Sequence, residues 1–296
     1  MLLVGSDGQV GRAIQRQAAD FNACILPYTR LDLDITRQDR VVEVISSLTP
    51  DLVINAAAYT AVDKAECEIE AAYAVNEKGP ANLAKTCDRQ GIPLFHISTD
   101  YVFNGESNHP YSEDDVTDPV SVYGKSKLAG EVAVRVLASK HIILRTAWVF
   151  SSDGNNFLKT MLRLAGERDK LTIVGDQFGG PTSANGIANA LLTIAKRIQN
   201  SKDECWGVYH FTGSPYVNWF QFASNIFEQS VQLKLLTKAP RLIAVTSEEF
   251  ATPVKRPKNS RLDCSKIEAV FDVKSEDWQV GVEQVLKELS QINKAQ

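Results

Sequence analysis

Tyr123 and Lys127 stand four residues apart in the stretch "VYGKSK", and a helix there places both side chains on one face. A phenol titrates at about pH 10 in isolation. Proton exchange at neutral pH therefore needs nearby positive charge to stabilise the phenolate. A lysine ammonium one turn away supplies it, and the same lysine can hydrogen-bond a nicotinamide ribose. The spacing alone is common, but it occurs once here, after a strand-like run ending in Ser98 and Thr99. Hydroxyls at the carboxyl end of a parallel strand lie where the active sites of such sheets gather. Thr99, Tyr123 and Lys127 are thus a candidate catalytic set.

A second constellation sits at the start of the chain. Gly5, Gly8 and Gly11 form GxxGxxG between the run "MLLV" and a helical segment. Glycine allows the tight turn and close approach of backbone to a pyrophosphate, and the helix N-terminus offers free N–H groups to the anion. The next strand ends Tyr28-Thr29-Arg30-Leu31-Asp32-Leu33-Asp34. An acid there suits the ribose hydroxyls of NAD, whereas an arginine suits the extra phosphate of NADP. Thr29 carries no negative charge and Arg30 can pair with phosphate, so NADPH is expected. Asp32 capping a ribose keeps NADH open. Small residues in Asn55-Ala56-Ala57-Ala58-Tyr59-Thr60 let a flat cofactor lie along the strand ends.

Strand-like and helical runs alternate through the first half. "MLLV", "ACILPY", "DLVINAA", "PLFHIST" and "HIILRTAWVF" read as strands. Val10–Ala19, Arg40–Leu48, Glu68–Arg89 (interrupted at Gly79-Pro80) and Tyr123–Ser139 read as helices. That alternation predicts an α/β fold, a doubly wound parallel sheet of Rossmann type. The second half is less regular, with helices over Ile187–Ile198, Trp219–Gln229 and Trp278–Ile292, a strand "GVYHFTG" and a basic segment "RPKNSRLDCSK". The expected division is a dinucleotide-binding domain over 1–150 and a smaller C-terminal substrate domain over 151–296. Elements at about 184–213 are expected to return to the first. Arg256 and Arg261 in the basic segment could pair with a diphosphate. Trp148, closing its strand, could lie against a sugar or base, or serve as core.

Composition narrows the classes. Apolar residues make up 44% and charged residues 23% of 296, as in soluble globular proteins. The net charge of −4 disfavours a nucleic-acid or anionic-membrane surface. No apolar run approaches the roughly 20 residues of a membrane span, and the start lacks the pattern of a signal peptide. Five cysteines without a CxxC pair point to reduced thiols in the cytoplasm. Four scattered histidines predict no metal site.

The motifs "GSDGQVG", "INAAAYTAVDKAE", "STDYVFNG", "YGKSKLAGE", "RTAWVF", "GNNFLKTML", "DQFGGPT" and "RPKNSRLD" span nearly the whole chain. With them it resembles the extended short-chain dehydrogenase/reductases, and within these the dTDP-4-dehydrorhamnose reductase branch. The resemblance implies that Thr99, Tyr123 and Lys127 are catalytic, and that Gly8, Gln9, Val10 and Gly11 form the pyrophosphate loop. It sets Asp34 near the adenine and Ala58, Tyr59 and Thr60 beside the cofactor. It places Asp100 and Trp148 against the deoxysugar nucleotide, and includes Asp63, Lys64 and Glu66 in its signature. The implied activity is NADPH-dependent reduction of the C4 ketone of dTDP-4-dehydro-6-deoxy-L-mannose to dTDP-L-rhamnose. Some members bind magnesium through glutamates and dimerise with its help. Ala13 stands where one such glutamate would be, so a magnesium site is doubtful and a homodimer stays open. Two alternatives stay open as well: another nucleotide-sugar reductase or epimerase, and a non-catalytic NADP-binding subunit like the beta subunit of methionine adenosyltransferase. A dehydratase would carry a second acid beyond Asp100, where this chain has Tyr101.

Overall fold

The computed structural model describes residues 1–200, 205–250 and 254–295. The first half runs β1 (Leu2–Val4), α1 (Gln9–Gln17), β2 (Leu26–Tyr28), α2 (Gln38–Leu48), β3 (Val53–Asn55), α3 (Val62–Ala65), α4 (Ile69–Tyr73), α5 (Gly79–Arg89), β4 (Leu94–Thr99), α6 (Val122–Leu137) and β5 (His141–Thr146). The second half runs β6 (Val149–Phe150), α7 (Phe157–Glu167), β7 (Lys170–Val174), β8 (Phe178–Gly179), β9 (Thr182–Ser183), α8 (Ala184–Asn200), β10 (Gly207–His210), β11 (Val217–Asn218), α9 (Trp219–Gln232), β12 (Arg241–Val245), β13 (Asn259–Ser260), α10 (Ser265–Phe271) and α11 (Trp278–Ala295).

Six strands form one parallel sheet in the order β10-β5-β4-β3-β1-β2. Helices cover both faces because its strands are apolar on both. Leu3, Ile54, Phe95 and Leu144 pack with residues of α1 and α8. Leu2, Val53, Leu94 and Ile143 pack with residues of α2, α5 and α6. The order turns at β1 and β3, so a crevice opens beyond the carboxyl ends of the strands, where such folds bind ligands. β10 and α8 belong to this layer although they come late in the chain. A separate core around Phe150, Phe222, Ile226, Trp278 and Leu286 joins α7, α9 and α11 to β7.

Several elements depart from the sequence reading, among them α7 and α10, which it left out. "HIILRTAWVF" is not one strand. Trp148 takes a left-handed conformation (φ 51°) that ends β5, and Val149–Phe150 pairs with β9 in another sheet. Gly79-Pro80 does not interrupt its helix. The chain passes from α4 through a π-helical turn at Ala74–Lys78 straight into α5, and Pro80 stands directly after that turn, where the hydrogen-bond ladder changes from π to α. "RLIAV" forms β12, parallel to β7, a strand the sequence reading left out.

Candidate active site

Thr99 ends β4 and caps the short 3₁₀ turn that follows, accepting from the Tyr101 N–H at 3.2 Å. Its hydroxyl donates to Asp100 Oδ1 at 2.9 Å. α6 begins beside this turn. Ser121 caps it through the Gly124 N–H at 3.1 Å, and the Val122 N–H donates to Glu66 Oε1 at 2.8 Å. A Cβ on Gly124 would stand 2.2 Å from the Tyr101 carbonyl. Only glycine lets the first turn of α6 press against the turn after Thr99, and this contact brings Tyr123 to Thr99. The Tyr123 ring is 8% exposed and meets Tyr101 edge-on, with centroids 5.4 Å apart.

The protonation states follow from burial. Burial pushes the Tyr123 phenol up to about 12, against a hydrogen bond with Thr99 that lowers it. The phenol is therefore neutral and able to donate at neutral pH. Burial pushes the Lys127 ammonium down to about 8, while Glu131 raises it. Lys127 Nζ donates to the Ile97 carbonyl at 2.6 Å. Burial raises the Asp100 carboxyl to about 6, held back by the nearby Ser260 and by the Thr99 hydroxyl on Oδ1, while Oδ2 is buried without a partner.

These groups line a cavity of about 420 Å³ that also reaches Gly8, Gln9, Val10, Ala58, Thr60 and Trp148. A second cavity of about 260 Å³ continues it past Gly5 and Gly8 to Arg30, Asp34, Ala58 and Tyr59. The residues between them fit a dinucleotide. Gly5 has φ 77°, and a Cβ there would lie 2.5 Å from the Ala57 nitrogen. Gly8 leaves the floor open. Gly11 does not line either cavity. A Cβ on it would lie 2.3 Å from the Gly5 carbonyl, so it lets α1 pack against the loop. At the far end Asp32 is engaged with the Thr29 N–H and hydroxyl at 2.9 and 2.7 Å, which turns it away from a ribose-capping role, and Arg30 stands exposed at the rim.

A third cavity, about 790 Å³, adjoins the first through Thr60, Trp148 and Val149. Trp148 stacks on Trp219 at 3.5 Å with planes 12° apart. Gly179 makes room for it, since a Cβ there would be 2.6 Å from Trp148 Cε2. Arg256 lines this cavity, paired with Asp63 at 3.3 Å and with its Nε buried and unpartnered. Arg261 is placed elsewhere. Its guanidinium donates to Asn259 Oδ1 at 2.8 Å and to the Asn108 carbonyl at 2.9 Å, bracing the loop rather than facing the cavity.

The RmlD substrate binding domain family matches residues 1–291. A curated relative, dTDP-4-dehydrorhamnose reductase of Aggregatibacter actinomycetemcomitans, is 44% identical over 288 residues, 96% of this chain and 97% of its own. The chain belongs to the dTDP-4-dehydrorhamnose reductase family. The crystal structure of such a reductase from Clostridium acetobutylicum superposes with a TM-score of 0.90 at 38% identity, over 98% of this chain and 99% of its own. One from Bacillus anthracis, in complex with NADP, gives 0.87 at 33%, over 97% and 98%.

In this dTDP-4-dehydrorhamnose reductase family member, four contributors had escaped the sequence reading. Asn76, projected by the π-helical turn, accepts from the Tyr59 N–H at 2.8 Å, donates to the Tyr59 carbonyl at 3.0 Å and donates to Ser126 on α6 at 3.0 Å. It locks the cofactor-side segment to the helix bearing Tyr123. Trp219 is the partner of Trp148. Glu131 and Arg145 form a fully buried ion pair below Lys127. The "GE" after "YGKSKLA" and the arginine within an apolar strand were the available signals. Ala13 is buried in the core. Among the described residues no group of three or more histidine, cysteine or acidic side chains is arranged to hold a metal ion. No helix among them is long and apolar enough to cross a membrane.

Proposed function

We propose that this chain reduces the C4 ketone of dTDP-4-dehydro-6-deoxy-L-mannose with NADPH, giving dTDP-L-rhamnose. The observation that carries the reading is the meeting of Thr99, Tyr123 and Lys127 on one wall, between the glycine-loop trough and the aromatic cavity. The NADP-bound relative supports the cofactor.

When bound, NADPH supplies the hydride that C4 receives. The glycine loop and the Ala56–Ala58 strand end seat it. Thr99 positions the ketone oxygen and polarises it. The neutral Tyr123 hydroxyl gives its proton to the oxygen as negative charge develops there, and a positioned acid of this kind is worth about 10²–10⁴-fold. Lys127 stabilises the phenolate left behind. Trp148 and Trp219 offer a flat apolar surface to sugar or base, and the unpartnered Arg256 Nε offers a donor to the diphosphate. Tyr101 in place of a second acid favours reduction over dehydration.

We assign 1–150 to dinucleotide binding and 151–296 mainly to the sugar nucleotide, with 184–213 returned to the first unit. The pairing of β10 with β5 and the packing of α8 beside α1 support this division. Five unbridged cysteines suit a reducing cytoplasm. A homodimer remains part of the proposal, tested by sedimentation.

The test is consumption of NADPH and of NADH with the dTDP-ketosugar, against other nucleotide ketosugars. Fast NADPH oxidation confined to the dTDP compound supports the reading. Cofactor binding without turnover would place the chain with the non-catalytic NADP-binding proteins.

A further inference from the structure

Below the catalytic wall lies a buried polar layer that the reduction steps do not use. Ser98 on β4 is opposite Arg145 on β5, and Arg145 is opposite His210 on β10. Arg145 gives Nε to both Glu131 oxygens at 2.9 and 3.2 Å, and Nη2 to Oε2 at 2.7 Å. The Ser98 hydroxyl donates to the same carboxylate. The two charged side chains are 0% and 2% exposed. His210 Nε2 stands 3.4 Å from Arg145 Nη1, and the Phe103 ring lies under the guanidinium at 5.1 Å.

A buried ion pair adds little stability over well-packed apolar residues, because both charges must leave water. The spacing suggests another purpose. Tyr123, Lys127 and Glu131 follow one another at four-residue steps on the face of α6 that meets the sheet, and all three are buried. Lys127 is 2% exposed, and its hydrogen bond goes to a neutral carbonyl, Ile97. A partial charge compensates a buried ammonium poorly.

We propose that Glu131, held in place by Ser98 and Arg145, is a positioning residue that keeps the Lys127 ammonium charged beneath the catalytic tyrosine. This inference rests on the reading of Lys127 given above. The surrounding groups leave the task to Glu131. On β4, His96 takes its Nδ1 bond from Asn55 at 3.0 Å, and burial holds it neutral. On β10, burial and then Arg145 hold His210 neutral, at about 3. Arg145 has the opposing sign, but the charge that acts on Lys127 is that of Glu131. Tyr123 is neutral. Asp100 carries charge above about pH 6, but it is turned to Thr99, and the acid that raises the Lys127 ammonium is Glu131. Glu131 is the full negative charge one helical turn from Lys127.

The test is the pH profile of kcat for ketone reduction. Glu131→Gln keeps the shape and removes the charge, leaving Arg145 to oppose the lysine alone. The alkaline limb, set by loss of the Lys127 proton, is expected to move down by about one pH unit from about 8, so that kcat at about pH 8 falls roughly fivefold and the loss shrinks towards pH 6. Where Glu131→Gln does not fold, the double variant Glu131→Met/Arg145→Met removes both charges at similar volume, and its limb is expected below the parent's by a smaller step. A folded variant with an unmoved limb, or a loss equal at every pH, overturns the proposal. Lys127→Met is the control. If it keeps turnover and the alkaline limb, the reading of Lys127 itself fails, whatever Glu131 does.

Discussion

Replacing Tyr123 with Phe removes one oxygen and leaves the ring. That ring packs edge-on against Tyr101 at 5.4 Å and is 8% exposed, so its apolar contacts survive. What the hydroxyl loses in the empty site is its interaction with Thr99, at most about 0.5–1.5 kcal/mol. The variant should therefore fold within about 1.5 kcal/mol of the parent. The chemistry loses much more. The phenol, held at about 12 by burial, is the only neutral acid of the three groups facing the ketone. Thr99 donates to Asp100 in the empty site and can turn that proton to hold the ketone oxygen, but as an aliphatic alcohol it does not release it at neutral pH, and Lys127 has a donor committed to the Ile97 carbonyl. Loss of the acid should lower kcat by about 10²–10⁴-fold, roughly 3–5 kcal/mol at the transition state. The assay is NADPH absorbance under saturating dTDP-ketosugar, with NADPH affinity measured in parallel by fluorescence. A kcat within about threefold of the parent, with cofactor affinity unchanged, would refute the assignment.

Other outcomes follow from the same geometry. Asp100 has its carboxyl raised from 3.8 to about 6 by burial. The folded chain thus holds more protons than the unfolded one between those values, and the contribution of Asp100 to stability falls as pH rises through them. The stability of the parent relative to Asp100→Asn should drop by up to about 3 kcal/mol between pH 4 and pH 7 in urea titrations, and a flat difference would contradict this. Gly11→Ala places a methyl 2.3 Å from the Gly5 carbonyl, and should weaken NADPH binding at least about tenfold by distorting the loop. Unchanged affinity would show that the loop can yield. Arg256→Gln should raise KM for the sugar nucleotide by about tenfold through loss of one charge-assisted bond to a phosphate, with KM for NADPH unchanged.

Much of this site could be read from residue order, because it depends on local spacing. Two side chains four apart on a helix, a glycine turn between strand and helix, and hydroxyls at a strand end keep their relations in any fold that preserves those elements. What could not be read depends on distant segments. Trp148 looked like the continuation of a strand, since no local feature announces φ 51° at a tryptophan. Its reason lies in Trp219 and Gly179, contributed by other elements. Asn76 looked like an ordinary helical residue, and its role depends on a π-helical turn that aims it at Tyr59. Arg261 looked equivalent to Arg256, but Asn259 and Asn108 hold it while Arg256 faces the cavity. β12 was passed over because its short apolar run only gains meaning from pairing with β7.

The central claim is that the wall formed by Thr99, Tyr123 and Lys127 presents a ketone to a nicotinamide held by the glycine loop. Turnover with NADPH carrying deuterium at the transferable position of the nicotinamide, followed by NMR of the product, tests this most directly. The account predicts dTDP-L-rhamnose with deuterium on C4 of the sugar. Product free of the label, or label elsewhere in the sugar, would contradict it.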